Sequence, residues 1–421
     1  MTAVLTVQQS ARAIMVPSMR LRLLAAGAAT ATVLLGPVAD AGADAIQDFI
    51  RRHWSQPLAP QGAPPARFSP LEASLQPESC GTCHPAQLAD WRESLHAAAS
   101  GPGIAGQLVE MRESDPSSAH ACLVCHAPLA EQGPFVAVGR QLRENPAYDA
   151  SLARRGVPCA GCHVRGHQRF GPPRRDGSLA STAPRETLPH NGVTRTPAFL
   201  KADFCRGCHQ FTPDGFALNG KLLQATYDEW KASRFAREGV QCQDCHMPDR
   251  RHRWRGIHDL EMVRSGLTIE ARAGAPRYRP GELALVTLRV SSTRVGHAFP
   301  TYVTPRVVLS AELVDDTGQV VAGSRREQII GREVALDLSR ELFDTRLMPG
   351  KSTTLTYRMK VEATGLRARV AVVVEPDAFY VAFFEALLQQ GAGRGEGQIR
   401  QALETARRSP FTLFERELPL S

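Results

Sequence analysis

The sequence predicts a mainly α-helical and irregular domain, then an antiparallel β-sandwich domain, then C-terminal helices. Two observations carry this expectation. All ten cysteines fall between Cys80 and Cys245, among Pro- and Gly-rich loops and two helical runs. From Leu267 onward no cysteine remains, and short runs rich in Val, Leu and Thr alternate with turn residues.

In chain order, residues 1–43 read as a secretory signal peptide. Arg20 and Arg22 precede the apolar stretch Leu23 to Leu35, and the small residues Val38 to Ala43 offer cleavage after Ala41 or Ala43. Met19 is the expected functional start. An uncleaved anchor is the alternative, although the stretch falls short of the ~20 residues that span a bilayer. Residues 44–79 carry Pro57, Pro60, Pro64, Pro65, Pro70 and Pro77 and read as an extended, Pro-rich N-terminal arm, with His53 as a surface residue.

Residues 80–262 hold five copies of one pattern: Cys80-Gly-Thr-Cys83-His84, Cys122-Leu-Val-Cys125-His126, Cys159-Ala-Gly-Cys162-His163, Cys205-Arg-Gly-Cys208-His209 and Cys242-Gln-Asp-Cys245-His246, here motifs 1 to 5. C-x-x-C-H is the attachment signature of a c-type haem. Its two thiols bond to the porphyrin vinyl groups, and the histidine ligates the iron from the proximal side. A lone C-x-x-C reads equally well as a zinc site or a redox dithiol. Five pairs, each followed directly by His in a chain with 13 histidines in 421 residues, exclude coincidence. The expected cofactor is five covalent haem c groups, bound by all ten cysteines, with His84, His126, His163, His209 and His246 as proximal ligands. Export fits, because attachment takes place outside the bacterial cytoplasm. The expected location is the periplasm or beyond.

The charge balance supports no nucleic-acid partner. Arg12, Arg20, Arg22 and Asp40 leave with the leader, so +8 becomes +6. Each ferric haem with two ionised propionates contributes roughly −1, which brings the loaded protein near neutrality.

Between the motifs, Pro85 opens a helical run through Trp91, Ser94 and His96 to Ala99, whose apolar face suits a porphyrin. A short helix is expected near Gly139–Glu144, and Gly171–Pro197 reads as loop. A second run, Leu222 to Arg237, aligns Trp230-x-x-Ser233-x-Phe235 with Trp91-x-x-Ser94-x-His96. The two runs read as copies of one module in which a histidine has become phenylalanine. The iron that this histidine would have served must find another ligand or stay open.

These residues, together with Gly239-Val240-x-Cys242-Gln243-Asp244-Cys245-His246-Met247-Pro248, resemble multihaem c-type cytochromes similar to the tetrahaem cytochrome that accepts electrons from hydroxylamine oxidoreductase. The likeness spans roughly residues 78–260, and this chain has one motif more. The resemblance implies a haem stack with mostly bis-histidine iron. It also implies a distal histidine in the segment after Pro248, where His252 and His258 are equal candidates.

Residues 263–378 read as the β-sandwich, with strands expected at Leu267–Arg272, Glu282–Ser291, Arg306–Val314, Gln319–Ala322, Thr353–Val361 and Ala368–Glu375. The loop Gly296-His297-Ala298-Phe299-Pro300-Thr301 resembles a G-H-x-F-P-T segment of related cytochromes, which implies that His297 reaches an iron. Residues 379–421 form a helical tail, with helices near Phe379–Gln390 and Gln398–Arg408.

Beyond the proximal five, the histidines are His53, His96, His120, His167, His190, His252, His258 and His297. The preferred distal ligands are His96, His120, His252, His258 and His297. His167 and His190 are ambiguous between ligand and surface, and Met111 is a possible substitute. The supply saturates five irons, so the expected function is single-electron transfer between redox partner proteins. The alternative is an oxidoreductase with one open iron acting on a small nitrogen or sulfur compound. No lysine replaces a motif histidine, which sets the chain apart from pentahaem nitrite reductases. A third option makes the β-domain a docking module.

Overall fold

The computed structural model describes residues 41–55, 57–138 and 141–420, so the leader lies outside the described residues except for its last three. The region after it is not wholly extended. Helix α1 (Ala41–His53) places Ile46, Phe49, Ile50 and His53 on one face. His53 is buried rather than at the surface, among Phe49, Phe170, Phe199 and Phe204.

Helix α2 (Pro85–Arg92) begins with proline, whose missing N–H costs nothing in a first turn. It stops short of the expected Ala99. Ser94 gives both its N–H and its hydroxyl to the Trp91 carbonyl, at 2.9 and 2.7 Å, and so takes the acceptor that would have continued the ladder. The second run breaks at the equivalent serine, into α5 (Thr226–Lys231) and α6 (Arg234–Arg237), with the Ser233 N–H on the Trp230 carbonyl at 2.9 Å. Between them, Gly101-Pro102 opens a helix instead of closing one. Helix α3 (Pro102–Ser114) is followed by α4 (Pro116–His126), which the Asp115 carboxylate caps through the Ser118 N–H. Of the helix expected near residues 139–144, the described residues 141–144 form a strand instead. Gln141–Glu144 pairs antiparallel with Phe135–Val138.

The second half is built from antiparallel strands: β1 (Leu267–Ala273), β2 (Leu283–Ser292), β3 (Arg306–Val314), β4 (Arg326–Val334), β5 (Glu341–Asp344), β6 (Ser352–Lys360), β7 (Arg367–Glu375) and β8 (Phe411–Pro419). One sheet runs β5-β4-β3-β7-β8 and the other β6-β2-β1. Alternate residues of both sheets, including Val286, Leu288, Leu309, Val370, Val372 and Tyr357, share one buried cluster. The run Gln319–Ala322 makes only an isolated bridge, Val314 to Val320. Strands β4, β5 and β8 were not expected from the sequence.

Helices α7 (Ala378–Gln390) and α8 (Glu396–Arg407) fold back onto α3. A Cβ on Gly103 would stand 2.9 Å from Phe384, and one on Gly106 2.8 Å from Ile399, so these two glycines permit the approach. No helix among the described residues is long and apolar enough to cross a membrane.

Candidate haem sites

Each motif closes into about one helical turn. In motif 1 the His84 N–H bonds the Cys80 carbonyl at 3.0 Å, and in motif 4 the His209 N–H bonds that of Cys205 at 3.1 Å. Motifs 3 and 5 are the one-turn helices Cys159–His163 and Cys242–His246, and motif 2 ends α4. Residues three apart on a turn share a face, so both sulfurs point the same way with the histidine beside them.

Four proximal imidazoles are oriented through Nδ1. His126 bonds the Ala99 carbonyl at 2.7 Å, His163 that of Phe170 at 2.8 Å and His246 that of Arg255 at 2.7 Å, while His209 bonds the Tyr302 hydroxyl at 2.8 Å. A carbonyl can only accept, so Nδ1 carries the hydrogen and Nε2 keeps its lone pair for a metal. Burial pushes the His163 and His209 pKa values down to about 4, which favours the neutral form that ligation needs.

Three of these imidazoles face a second histidine. His96 and His209 have ring centroids 6.2 Å apart, His163 and His252 6.2 Å, and His246 and His297 6.3 Å. A histidine nitrogen sits about 2.0–2.1 Å from a bound transition metal, and its ring centroid roughly 1.1 Å further back, so two imidazoles across one metal lie ~6.3 Å apart. Each pair therefore has room for one iron. His252 and His297 also anchor Nδ1 on carbonyls, of Arg250 at 3.0 Å and of Ala298 at 2.9 Å.

The other candidates are placed differently. His258 Nε2 lies 3.0 Å from the Asp377 carboxylate, so between His252 and His258 the fold brings only His252 to a motif. His167 Nε2 bonds the Gly62 carbonyl at 2.9 Å and is thereby engaged. His120 projects from α4 with an unpartnered Nε2, beside a small cavity lined by Leu123, Pro134 and Phe135. His190 has a buried Nδ1 with no partner among the described residues, and its backbone N–H bonds the Glu72 carboxylate at 3.0 Å. None of these four stands ring to ring with a motif histidine among the described residues. Met111 packs with Leu108, Ala119 and Cys122. His53 Nε2 is taken by the Cys162 carbonyl at 2.8 Å, which makes it a core histidine.

The motifs also meet one another. Thiols of Cys80 and Cys159, of Cys125 and Cys208, and of Cys205 and Cys242 are within hydrogen-bond reach. This brings motif 1 beside 3, motif 2 beside 4, and motif 4 beside 5.

Positioning residues that sequence reasoning passed over hold two of the histidines that stand opposite motif histidines. The buried Asp90 of α2 accepts from Arg251 at 2.6 and 2.5 Å, from Arg253 at 3.1 Å and from the His252 N–H at 3.0 Å, fixing the segment that carries His252. Hydrogen bonds from Arg251 outweigh burial and hold its carboxyl well below the usual range. Glu229 of α5 accepts from the Ala298 N–H at 3.2 Å and from Arg346 at 2.9 Å, fixing the loop that carries His297.

The two helical modules superpose in their bonding. Trp91 Nε1 donates to the Val157 carbonyl at 2.7 Å, and Trp230 Nε1 to that of Val240 at 2.9 Å. The Val157 N–H returns to the His96 carbonyl at 2.8 Å, and the Val240 N–H to that of Phe235 at 2.9 Å. Gly156-Val157 and Gly239-Val240 were the available signal, each two residues before a motif cysteine.

The family described as cytochrome c554 and c-prime matches residues 79–164, which contain motifs 1 to 3. A solved structure, a penta-heme cytochrome c552 from Thermochromatium tepidum, aligns over 84% of this chain and 100% of that one, with 19% identity and a TM-score of 0.60. This chain is similar to multihaem c-type cytochromes. Its five motifs correspondingly carry five covalently bound haem c groups. An ApaA protein from Bordetella pertussis aligns over 37% of this chain and 93% of its own, at 13% identity and a TM-score of 0.17, too low to bear on the multihaem likeness. No curated protein matches the chain.

Proposed function

We propose that this protein is an exported electron-transfer protein, passing single electrons between redox partner proteins through five haems held mostly between two histidines. Haem supplies a reversible one-electron couple, and the chain supplies ligands and spacing. The carrying observation is the set of three imidazole pairs at the separation of a shared metal: His96 with His209, His252 with His163, and His297 with His246. His190, whose buried Nδ1 has no partner among the described residues, is the ligand proposed for the motif 1 iron. The leader-like residues 1–43 support export. The two sheets with their common core support a β-sandwich over 263–378, following a haem domain at 80–262 and completed by strand β8 from the end of the segment 379–421.

A second reading has one support. Among the described residues no histidine ring stands opposite His84 or His126, and motif 2, for which no second ligand is proposed, is the position this reading leaves open for a small nitrogen or sulfur compound. Electron paramagnetic resonance of the oxidised holoprotein tests both. The carrier reading expects low-spin ferric signals to dominate, with no response to nitrite or hydroxylamine. High-spin signals from most haems would overturn it, and a single high-spin component that shifts with either compound would establish the second reading.

A further inference from the structure

One proximal imidazole is held differently from the other three whose Nδ1 partners are described. His126, His163 and His246 donate to backbone carbonyls, whereas His209 Nδ1 meets a phenol, that of Tyr302 at 2.8 Å, to which it donates in the tautomer that leaves Nε2 for iron. The same oxygen accepts from Gln224 Nε2 at 2.7 Å, and Thr226 lies within hydrogen-bond reach of it. Tyr302 does not belong to the haem-motif half. It lies in the loop between β2 and β3, five residues after His297, and the loop is fixed to α5 by Glu229 and by a Thr226 to Thr301 contact at 2.7 Å. One loop from the β-region therefore reaches two adjacent motifs, with His297 opposite the proximal ligand of motif 5 and Tyr302 behind that of motif 4.

We propose that Tyr302 is a positioning residue that sets the reduction potential of the motif 4 haem, holding it above those of the carbonyl-partnered motifs; the assignment rests on the electron-transfer reading. The physical argument concerns ligand basicity. A strong acceptor at Nδ1 gives imidazole partial imidazolate character, and the more basic ligand favours ferric iron. An amide carbonyl is a strong acceptor. A phenol oxygen already accepting from Gln224 is a weaker one, so His209 stays closer to a neutral ligand and the ferrous state gains. Motif 4 adjoins both motif 2 and motif 5 through cysteine contacts, so its haem occupies a branch point where a higher potential would make electrons dwell. The β-region then becomes part of the redox machinery instead of an appended docking module.

Two substitutions around the one oxygen predict opposite signs. Tyr302→Phe keeps the ring but removes the acceptor, so the motif 4 potential rises. Gln224→Leu removes the competing donor, leaves the phenol a better acceptor for His209, and lowers that potential. Each change is expected to be threefold to tenfold in the reduction equilibrium, with tenfold corresponding to ~59 mV for one electron. Spectroelectrochemical titration of the holoproteins should resolve five components, one of which moves up in the first variant and down in the second. Should Tyr302→Phe fail to fold, the downward shift in Gln224→Leu alone decides. Five components with none moved, several moved together, or both variants shifting the same way would overturn the assignment. Fewer than five reducible components would instead bring down the electron-transfer reading, and this proposal with it.

Discussion

Removing the Glu229 carboxylate tests whether the β-region holds a haem ligand in place. In Glu229→Ala the Arg346 guanidinium loses a partner at 2.9 Å, in a pair whose side chains are only 9% and 10% exposed. Breaking a buried pair costs about 3–5 kcal/mol when the surviving charge is stranded. Arg346 is not stranded, because Asp344 still binds it at 2.9 and 3.0 Å, so the charge contribution falls below that range. The fully buried Ala298 loses the acceptor of its N–H, which adds about 1–3 kcal/mol. Together these give roughly 3 kcal/mol of destabilisation. Guanidinium unfolding of the holoprotein, followed by far-ultraviolet circular dichroism, measures it, with Arg346→Ala and the double variant closing a cycle. The freed His297 loop should also raise the high-spin ferric fraction by one haem. A loss under about 0.5 kcal/mol, typical of a surface change, together with an unaltered spin state, would refute the reasoning.

Three other outcomes are expected. His252→Ala should convert one haem to high spin in the electron paramagnetic resonance spectrum, while His258→Ala, which removes only the contact with Asp377, should leave the spin states as they are. Burial alone would raise the Asp344 pKa, but hydrogen bonds from Arg346 and Lys221 outweigh it and hold it below the ordinary value. The resulting stability is present above the unfolded carboxylate pKa of about 3.9 and is lost as pH falls through the folded value, so Asp344→Asn should unfold more readily than the parent at pH 7 and approach it in acid. Phe235→His should add no low-spin haem when the loaded proteins are compared.

The sequence exposed whatever local covalent chemistry or strict periodicity encodes. The motifs could be read because attachment requires five consecutive residues, and β3 because six of the nine residues of Arg306–Val314 are apolar. Strand β4 was hidden by its charge. Arg332 looks like a surface residue, yet it is buried, with Glu341 at 2.8 Å and the carbonyls of Leu218, Lys221 and Leu222 around it. The three carbonyls lie over a hundred residues away in the haem-motif half, so no local pattern reveals them. The distal histidines were half legible for the same reason. All eight candidates could be counted, but which three meet a motif depends on Asp90 and Glu229, carboxylates that look like ordinary helix-surface charges until the tertiary fold supplies Arg251 and Arg346.

The phenylalanine at position 235 changes meaning once the modules are aligned by their hydrogen bonds. Read from sequence, it is a histidine lost from an iron that must then find another ligand or stay open. In the first module, however, His96 does not face motif 1, which precedes its helix, or motif 3, which follows its Gly-Val step. It faces His209 of motif 4, the opening motif of the second module. The equivalent residue of the second module would therefore face the opening motif of a third, and the chain has none after Cys245. The position is filled to suit. Phe235 lies under the Arg234 guanidinium at 4.9 Å and against Gly296, where a Cβ would stand 3.7 Å from it, beside the loop that brings His297 to motif 5. A position with no further motif to face is filled by an aromatic wall supporting the loop that carries His297, so Phe235 does not by itself argue for an open iron.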